Sequence, residues 1–392
     1  MAVFGPIFGN RQFRNLAVSQ FCTIFSSNFM VPVLPVYMKT QGFSDTQIGI
    51  VMGATAVGAL IVRPWAGLGV DTRGTRPIIL AGQAMLILCL AGYWLLSGVL
   101  ALTAVRFIHG MSVAFYGTGA VTFASCVETP ENTTAAIALY SVFTMLGMGL
   151  ATSTGPMLYD AAGFGAVLAG SLVFVGVATV VMGIRSVSFR VGGTAEERKP
   201  FAAVLRSGEV AGPSVALFAS NFALSTATTF VPLVALASGI SWYSAFYVAF
   251  AVAVVAARLA VQFVTARWTP VQAATGAGLL NALGVFLLAV YPSVITFAVS
   301  GVLLGFGFGT IFPALAAYLV ANTSPANKGM ALGILTGAGD VGNAVGAAVL
   351  GAVADAFGYS VLFYAATAVV LLCGRYFQVM QARAAGGPRP QS

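Results

Sequence analysis

The sequence predicts an all-helical polytopic membrane protein: twelve transmembrane helices in two pseudo-symmetric six-helix bundles, with both termini cytoplasmic. Three observations carry that expectation. The 392-residue chain is 59% hydrophobic and only 7% charged, with a mean hydropathy of +0.94. Soluble domains sit near half apolar and a quarter charged. Apolar runs of about 20 residues recur along the chain, each bounded by Gly, Pro or charge. Features of the first half return in the second at one constant offset.

The runs lie at roughly 14–38, 46–70, 77–97, 99–127, 133–159, 164–184, 213–236, 242–266, 270–290, 293–320, 329–354 and 358–379. Backbone polar groups in lipid must be satisfied within each span, so these are helices. The turns between them are short, so neighbours run antiparallel. The longest polar break, RSVSFRVGGTAEERKPFAAVLRSGEVAG, starts at Arg185 and separates six spans from six. It gives an N-terminal bundle over 1–184, a cytoplasmic linker over 185–212 and a C-terminal bundle with a short tail over 213–392.

Lysine and arginine set the orientation. With the N-terminus inside, the cytoplasmic side receives Arg11, Arg14, Arg73, Arg76, Arg206, Arg267, Lys328, Arg375, Lys199 and the other linker and tail arginines, and the outer side only Lys39. Arg63 and Arg258 fall within spans toward their inner ends. This asymmetry explains the net charge of +8 without nucleic acid. The sequons at Asn132 and Asn322 fall on the cytoplasmic side and are discounted. No signal-peptide cleavage pattern precedes the first span. Cys22, Cys89, Cys126 and Cys373 are isolated in or beside apolar runs and read as packing residues.

At an offset of 195 residues, Arg63 meets Arg258, Gly110 meets Gly305 and Pro130 meets Pro325. Asn132 meets Asn327, Gly147 meets Gly342, Asp160 meets Asp355 and Gly163 meets Gly358. Two parallel six-span halves with a binding site between them are a transporter design.

The most charged stretch among the spans is RPWAGLGVDTRGTRP, from Arg63 to Pro77. Gly67-Leu68-Gly69-Val70-Asp71, followed by Gly74 and Arg76, resembles the signature between the second and third spans of the major facilitator superfamily. Thr72 and Thr75 stand where the signature has basic residues, and Arg73 adds one out of register. The resemblance extends over the whole chain. The opening VPVLPVYM looks like the drug and sugar exporter branch. Physically, Gly67 is expected to allow close helix approach. Asp71 is an anion at the membrane edge, suited to the positive N-terminus of a neighbouring helix. The resemblance makes that neighbour the eleventh span, starting near Lys328, and makes the contact an inner gate. Glu128 is a candidate partner for Arg73 or Arg76. The second-half counterpart has Ala266 in place of Asp71, so the gate is asymmetric.

The fifth span, YSVFTMLGMGLATSTGPMLYD, repeats small residues at Gly147, Ala151 and Gly155. Pro156 is expected to bend its outer end. Gly155-Pro156 resembles the exporter signature of the family, which goes with export, although Tyr159 and Asp160 replace its final glycines. Generic close packing is the alternative.

Three titratable residues lie deep. Asp340 is 12 residues past Lys328, so ~18 Å into a ~30 Å core. Arg106 is eight residues past Gly98, ~12 Å in from the other side, and His109 is one turn further. Charge at such depth costs at least ~2.5–3.5 kcal/mol unless paired or watered. Asp340 therefore suits a proton carrier, with Arg106 or Arg63 as its partner, or else a structural pair. Arg106 with Gly110 resembles the family's fourth-span pattern linked with proton coupling. His109 is a further candidate proton carrier.

The resemblance implies that spans 1, 4, 7 and 10 line a central cavity. Span 1 offers Gln20, Thr23, Ser27 and Asn28. Span 4 offers Arg106, His109, Val113 and Tyr116. Span 7 offers Asn221, Ser225 and Thr228, and span 10 Phe306, Phe308 and Phe312. Such a lining suits an amphipathic or weakly polar solute. The expectation is a secondary active transporter, a proton antiporter exporting a drug-like or metabolite-like molecule from a bacterial inner membrane. It would act as a monomer with the substrate, protons and lipid bilayer as its partners. Uptake or facilitated diffusion is the runner-up, and a non-transporting sensor a distant one. The chain has no GxxxxGK[ST], HExxH or GxSxG, so ATP-driven pumping, enzymatic activity, a metal and an organic cofactor are not expected.

Overall fold

A computed structural model describes residues 4–127, 133–189, 201–265, 267–324 and 327–386. Thirteen helices and no strand occur among them. The chain divides into two compact units, Met1–Gly193 and Thr194–Ser392.

In the first unit, α1 (Phe4–Gly9) is a short helix ahead of the first span. That span is α2 (Arg11–Phe29) followed by α3 (Leu34–Thr40). The Asn10 side chain caps α2 by accepting from Gln12 N–H at 2.9 Å. The sequence suggested one unbroken span over 14–38. Instead residues 30–33 form a turn, closed by Val31 N–H to Asn28 O and Val33 N–H to Met30 O, each 3.1 Å. The cause is local: Pro32 and Pro35 lack the N–H groups an α-helix needs there.

The second to fourth spans are α4 (Asp45–Arg73), α5 (Thr75–Leu95) and α6 (Val99–Cys126). A capping box opens α4: Ser44 Oγ accepts from Gln47 N–H while Gln47 Oε1 accepts from Ser44 N–H. The fifth and sixth spans run on as one element, α7 (Thr133–Arg185), broken only at Gly163 with φ 77° and ψ 179°. Pro156 keeps helical dihedrals, so the break comes at the glycine, seven residues after the proline expected to bend the span.

The second unit repeats the plan. After the short α8 (Phe201–Arg206) come α9 (Gly208–Ala237), α10 (Ser244–Thr265), α11 (Pro270–Val290) and α12 (Val294–Asn322). A second capping box, Thr269 with Gln272, opens α11. The last two spans are α13 (Lys328–Gly386), broken at Gly358 with φ 83° and ψ 171°. Counting α2–α3 as one span and α7 and α13 as two each gives the twelve expected helices. Pro130, Asn132 and Pro325, part of the repeat argument, lie outside the described residues.

The repeat is structural as well as sequential. A Cβ on Gly110 would overlap the Thr55 carbonyl oxygen, and one on Gly305 would crowd the Phe250 carbonyl oxygen. Both contacting pairs are related by 195 positions. Likewise Gly147 and Gly155 press α7 onto the carbonyls of Phe21 and Phe29 in α2, and Gly342 and Gly346 press α13 onto those of Phe218 and Phe222 in α9. Small residues let backbones touch where lipid offers no hydrophobic drive for association.

The backbone at Gly163 and Gly358 lies in a region that side chains other than glycine's rarely adopt. Strain there costs of order 1–3 kcal/mol. Gly358→Ala should therefore lower the thermal midpoint of the detergent-solubilised protein, although a Cβ there meets no atom within 4 Å. An unchanged melting curve would mean the two arms of α13 are joined differently.

Candidate functional site

At the turn between α4 and α5, Asp71 and Arg73 are exposed and Arg63 is half-buried on α4. Within the first unit nothing closes on Gly67: a Cβ built on it meets no atom within 4 Å. The glycine that packs tightly is Gly69, where a Cβ would come within 2.6 Å of the Ile78 side chain. The departure of Thr75 from the family signature has a local account. Thr75 is buried, its N–H donates to Phe189 O at 2.8 Å, and its Oγ1 accepts from Phe189 N–H at 3.1 Å. A lysine or arginine could not fill that place. Arg76 donates from its guanidinium to the Gly183 carbonyl and from its backbone N–H to Ser188 Oγ at 3.3 Å. The chain leaving α7 is thereby stitched to this turn. Glu128, the expected partner of Arg73 or Arg76, lies outside the described residues.

Deeper in the first unit, a polar layer crosses an otherwise apolar bundle. Gln20 of α2 accepts from the Tyr116 hydroxyl of α6 and donates to Thr144 Oγ1 of α7 at 2.7 Å. Gln83 of α5 donates to Ser19 Oγ at 2.9 Å and Thr23 Oγ1 at 3.0 Å. Further along α2, Ser27 Oγ meets His109 Nε2 at 2.8 Å, and the other ring nitrogen meets the Tyr93 hydroxyl at 3.3 Å. The two contacts place opposite demands on the neutral ring: one nitrogen donates, the other accepts. Asn28 is half-buried and donates to its own helix at Ile24 O, 2.9 Å away.

Arg106 is 5% exposed and close enough to Cys89, Tyr93 and His109 to act on each electrostatically. A short ion pair lies elsewhere, at the outer end of the first span, between Lys39 and Asp45 at 2.7 Å. Arg106 Nε has no hydrogen-bond partner among the described residues. The structure thus brings together Ser27, His109 and Arg106 from the sequence expectations, and puts Tyr116 into the packed interior. Gln83 and Tyr93 were missed. A lone amide inside TRPIILAGQAMLILCLAGYWL was the available signal, since an unpartnered amide in such surroundings is costly.

In the second unit, Asn221 Oδ1 of α9 accepts from Asn343 Nδ2 of α13 at 3.2 Å. One turn on, Ser225 Oγ donates to Asn343 O at 2.7 Å. Thr228 donates to Leu224 O at 2.9 Å, and its own carbonyl accepts from the Tyr247 hydroxyl at 2.7 Å. Asp340 is half-buried, one turn before Asn343 on the same helix. Phe308 rests against Phe250 with ring centroids 5.9 Å apart, and Phe312 packs onto the apolar core. Asn343 was not anticipated. Its signal was the spacing Asp340–Asn343 in GAGDVGNAVGAA, which sets the two polar residues of that segment on one helix face. No group of three or more His, Cys, Asp or Glu gathers as a metal site among the described residues.

Repeated six-helix units with amides, hydroxyls and charge set inside apolar bundles fit the plan of a membrane transporter. Comparison with known sequences makes the family specific. Residues 16–294 and 250–390 match the family model described as Major Facilitator Superfamily. The chain belongs to that family and is a multi-pass membrane transporter.

It is 26% identical over 391 residues to the staphylopine export protein of Staphylococcus aureus (strain Mu50 / ATCC 700699), covering 94% of this chain and 95% of the relative. It is also 26% identical over 373 residues to the uncharacterized MFS-type transporter YhhS of Escherichia coli K12, covering 93% and 91%. Among solved structures, a mutant form of the nucleoside transporter NupG superposes with a TM-score of 0.79 at 13% identity, over 94% of this chain and all of that one. A bacterial homolog of the human lysosomal transporter Spinster, inward-facing and unoccupied, gives 0.76 at 16% identity over 97% and 98%. At those identities the likeness concerns the fold.

Proposed function

We propose that this protein is a proton-coupled exporter of a small amphipathic organic molecule, working as a monomer in a bacterial inner membrane. The observation that carries the direction is the alignment with an export protein across nearly the whole of both chains. The Gly147, Gly155 and Pro156 face of α7, which resembles the exporter signature, is consistent with it. Ser27, Asn28, Arg106, Asn221, Ser225, Thr228, Phe308 and Phe312 are the proposed substrate contacts; Tyr116, buried with its hydroxyl on Gln20, is not among them. Their mixture of hydroxyls, amides and rings favours a weakly polar solute over a sugar phosphate or dianion.

In this reading Asp340 carries the coupling proton, with Arg106 and His109 answering its change of charge. Arg63, Gly67, Asp71, Arg73, Arg76 and Glu128 form the inner gate. A proton or solute biases the inward and outward states only by binding one better than the other. The test is reconstitution in liposomes with an acidic lumen and a trapped pH dye, with amphipathic drugs and small metabolites added singly. Solute-dependent proton release is expected from wild type and should fall at least about ten-fold in Asp340→Asn, a change of ~1.4 kcal/mol or more in the coupled step. Solute movement without proton flux, equal in both proteins, would make this a facilitator and leave Asp340 structural.

A further inference from the structure

A separate hollow, lined by none of these residues, lies inside the C-terminal unit. Between α9, α11 and the far arm of α13 runs a groove of about 190 Å³. Small-molecule sites usually enclose ~300–1,000 Å³, so this one is too small for a drug-sized solute. Its shape comes from two absent side chains. Gly278 of α11 and Gly374 of α13 both line it, and a Cβ built on either meets no atom within 4 Å. Elsewhere in the same unit, the space beside glycines such as Gly284 and Gly307 is filled by their neighbours.

We propose that this groove seats a segment of one acyl chain of an anionic phospholipid of the cytoplasmic leaflet, with the lipid phosphate on Arg375. The rim is hydrocarbon: Leu279 is 56% exposed and Leu371 48% exposed. Both face lipid rather than solvent in a protein of this class. At one end stands Arg375, exposed and without a hydrogen bond or ion pair among the described residues. It lies 17 residues beyond the break at Gly358, hence ~25 Å across a ~30 Å core. A long arginine side chain reaches the remaining distance to the headgroups. The ends of the unit's helices on that side carry Arg206, Arg267 and Lys328 as well, which the lysine and arginine distribution assigns to the cytoplasm. That leaflet is negatively charged, and a basic residue seated directly on a lipid headgroup there contributes about 1 kcal/mol, or five-fold in occupancy; of these basic residues only Arg375 lines the groove. Gln378, one turn further, adds an amide for the same headgroup. Apolar bed, cation and end of the unit therefore agree on one occupant.

The test uses the full-length protein extracted in mild detergent from bilayers of equal phosphatidylcholine and phosphatidylglycerol. Native mass spectrometry counts the lipid each protein retains. Wild type is expected to keep phosphatidylglycerol in preference. Arg375→Ala should reduce that preference about five-fold, while Arg267→Ala, at the same end but outside the groove, should leave it unchanged. Gly278→Leu should displace the retained lipid whatever its headgroup. Gly374→Leu, filling the groove from the opposite helix, repeats the measurement should the first variant melt early. Equal retention of the two lipids by wild type overturns the proposal. So does an Arg375→Ala protein indistinguishable from Arg267→Ala, or wild-type lipid retention in both groove-filling variants.

Discussion

Gly110→Val should leave little folded protein. The new Cβ would overlap the carbonyl oxygen of Thr55 on α4. In return, a Cβ on Gly58 of α4 would overlap the Phe107 carbonyl oxygen of α6. The two backbones thus touch from both sides, and no side chain is available to move aside. Overpacking usually costs ~1–3 kcal/mol because rotamers can adjust. Here a whole helix must shift, so the cost should exceed ~4 kcal/mol. Fluorescence-detected size exclusion after detergent extraction is expected to show at most about a tenth of the wild-type monodisperse peak. Gly117→Val on the same helix is the control, since a Cβ there meets no atom within 4 Å. A monodisperse Gly110→Val with wild-type melting would show that α4 and α6 do not approach this closely.

The second large effect concerns Arg106. Arg106→Gln should abolish gradient-driven transport, by about a hundred-fold or more, while leaving the thermal midpoint at or above that of wild type. Opposite signs are expected because the guanidinium is almost wholly buried and its Nε finds no partner. Holding a charge at this depth costs at least ~2.5–3.5 kcal/mol, and an uncharged amide keeps a donor for the neighbouring Tyr93. A residue retained only to brace the bundle would behave otherwise, with stability and transport falling together. Paired melting curves and liposome fluxes on one preparation separate the two. A loss of both would return Arg106 to a structural role, and a loss of neither would remove it from the mechanism.

Much of this architecture was readable from the chain because a lipid environment punishes ambiguity. A span must be apolar for its full width, so its limits show as Gly, Pro or charge. The ninth span illustrates this, since α11 occupies residues 270–290 as expected. What escaped notice had a different physical origin. The break between α2 and α3 follows from two prolines inside an otherwise unbroken apolar run, where hydropathy alone has no voice. Within its own unit it is Gly69, which the motif did not single out, that packs closely at this turn. The candidate site was legible only in part. Charges announce themselves by their cost, so Arg106, His109 and Asp340 stood out. Gln83, Tyr93 and Asn343 did not. An amide or phenol in a span becomes meaningful only once its partner is known, and that partner can be distant in sequence, as Ser19 is from Gln83.

The single-residue breaks at Gly163 and Gly358 carry a consequence for how such a chain can vary. With no loop between the arms of α7 or of α13, each pair of spans is locked in rotational phase. Adding or removing one residue there would turn the following span by about 100° and swing its lipid-facing side chains into the bundle. A longer loop would absorb the same insertion unnoticed. These joints therefore act as phase locks, and they give a reason why one spacing of 195 residues holds at both Gly147–Gly342, before the joint, and Gly163–Gly358, on it.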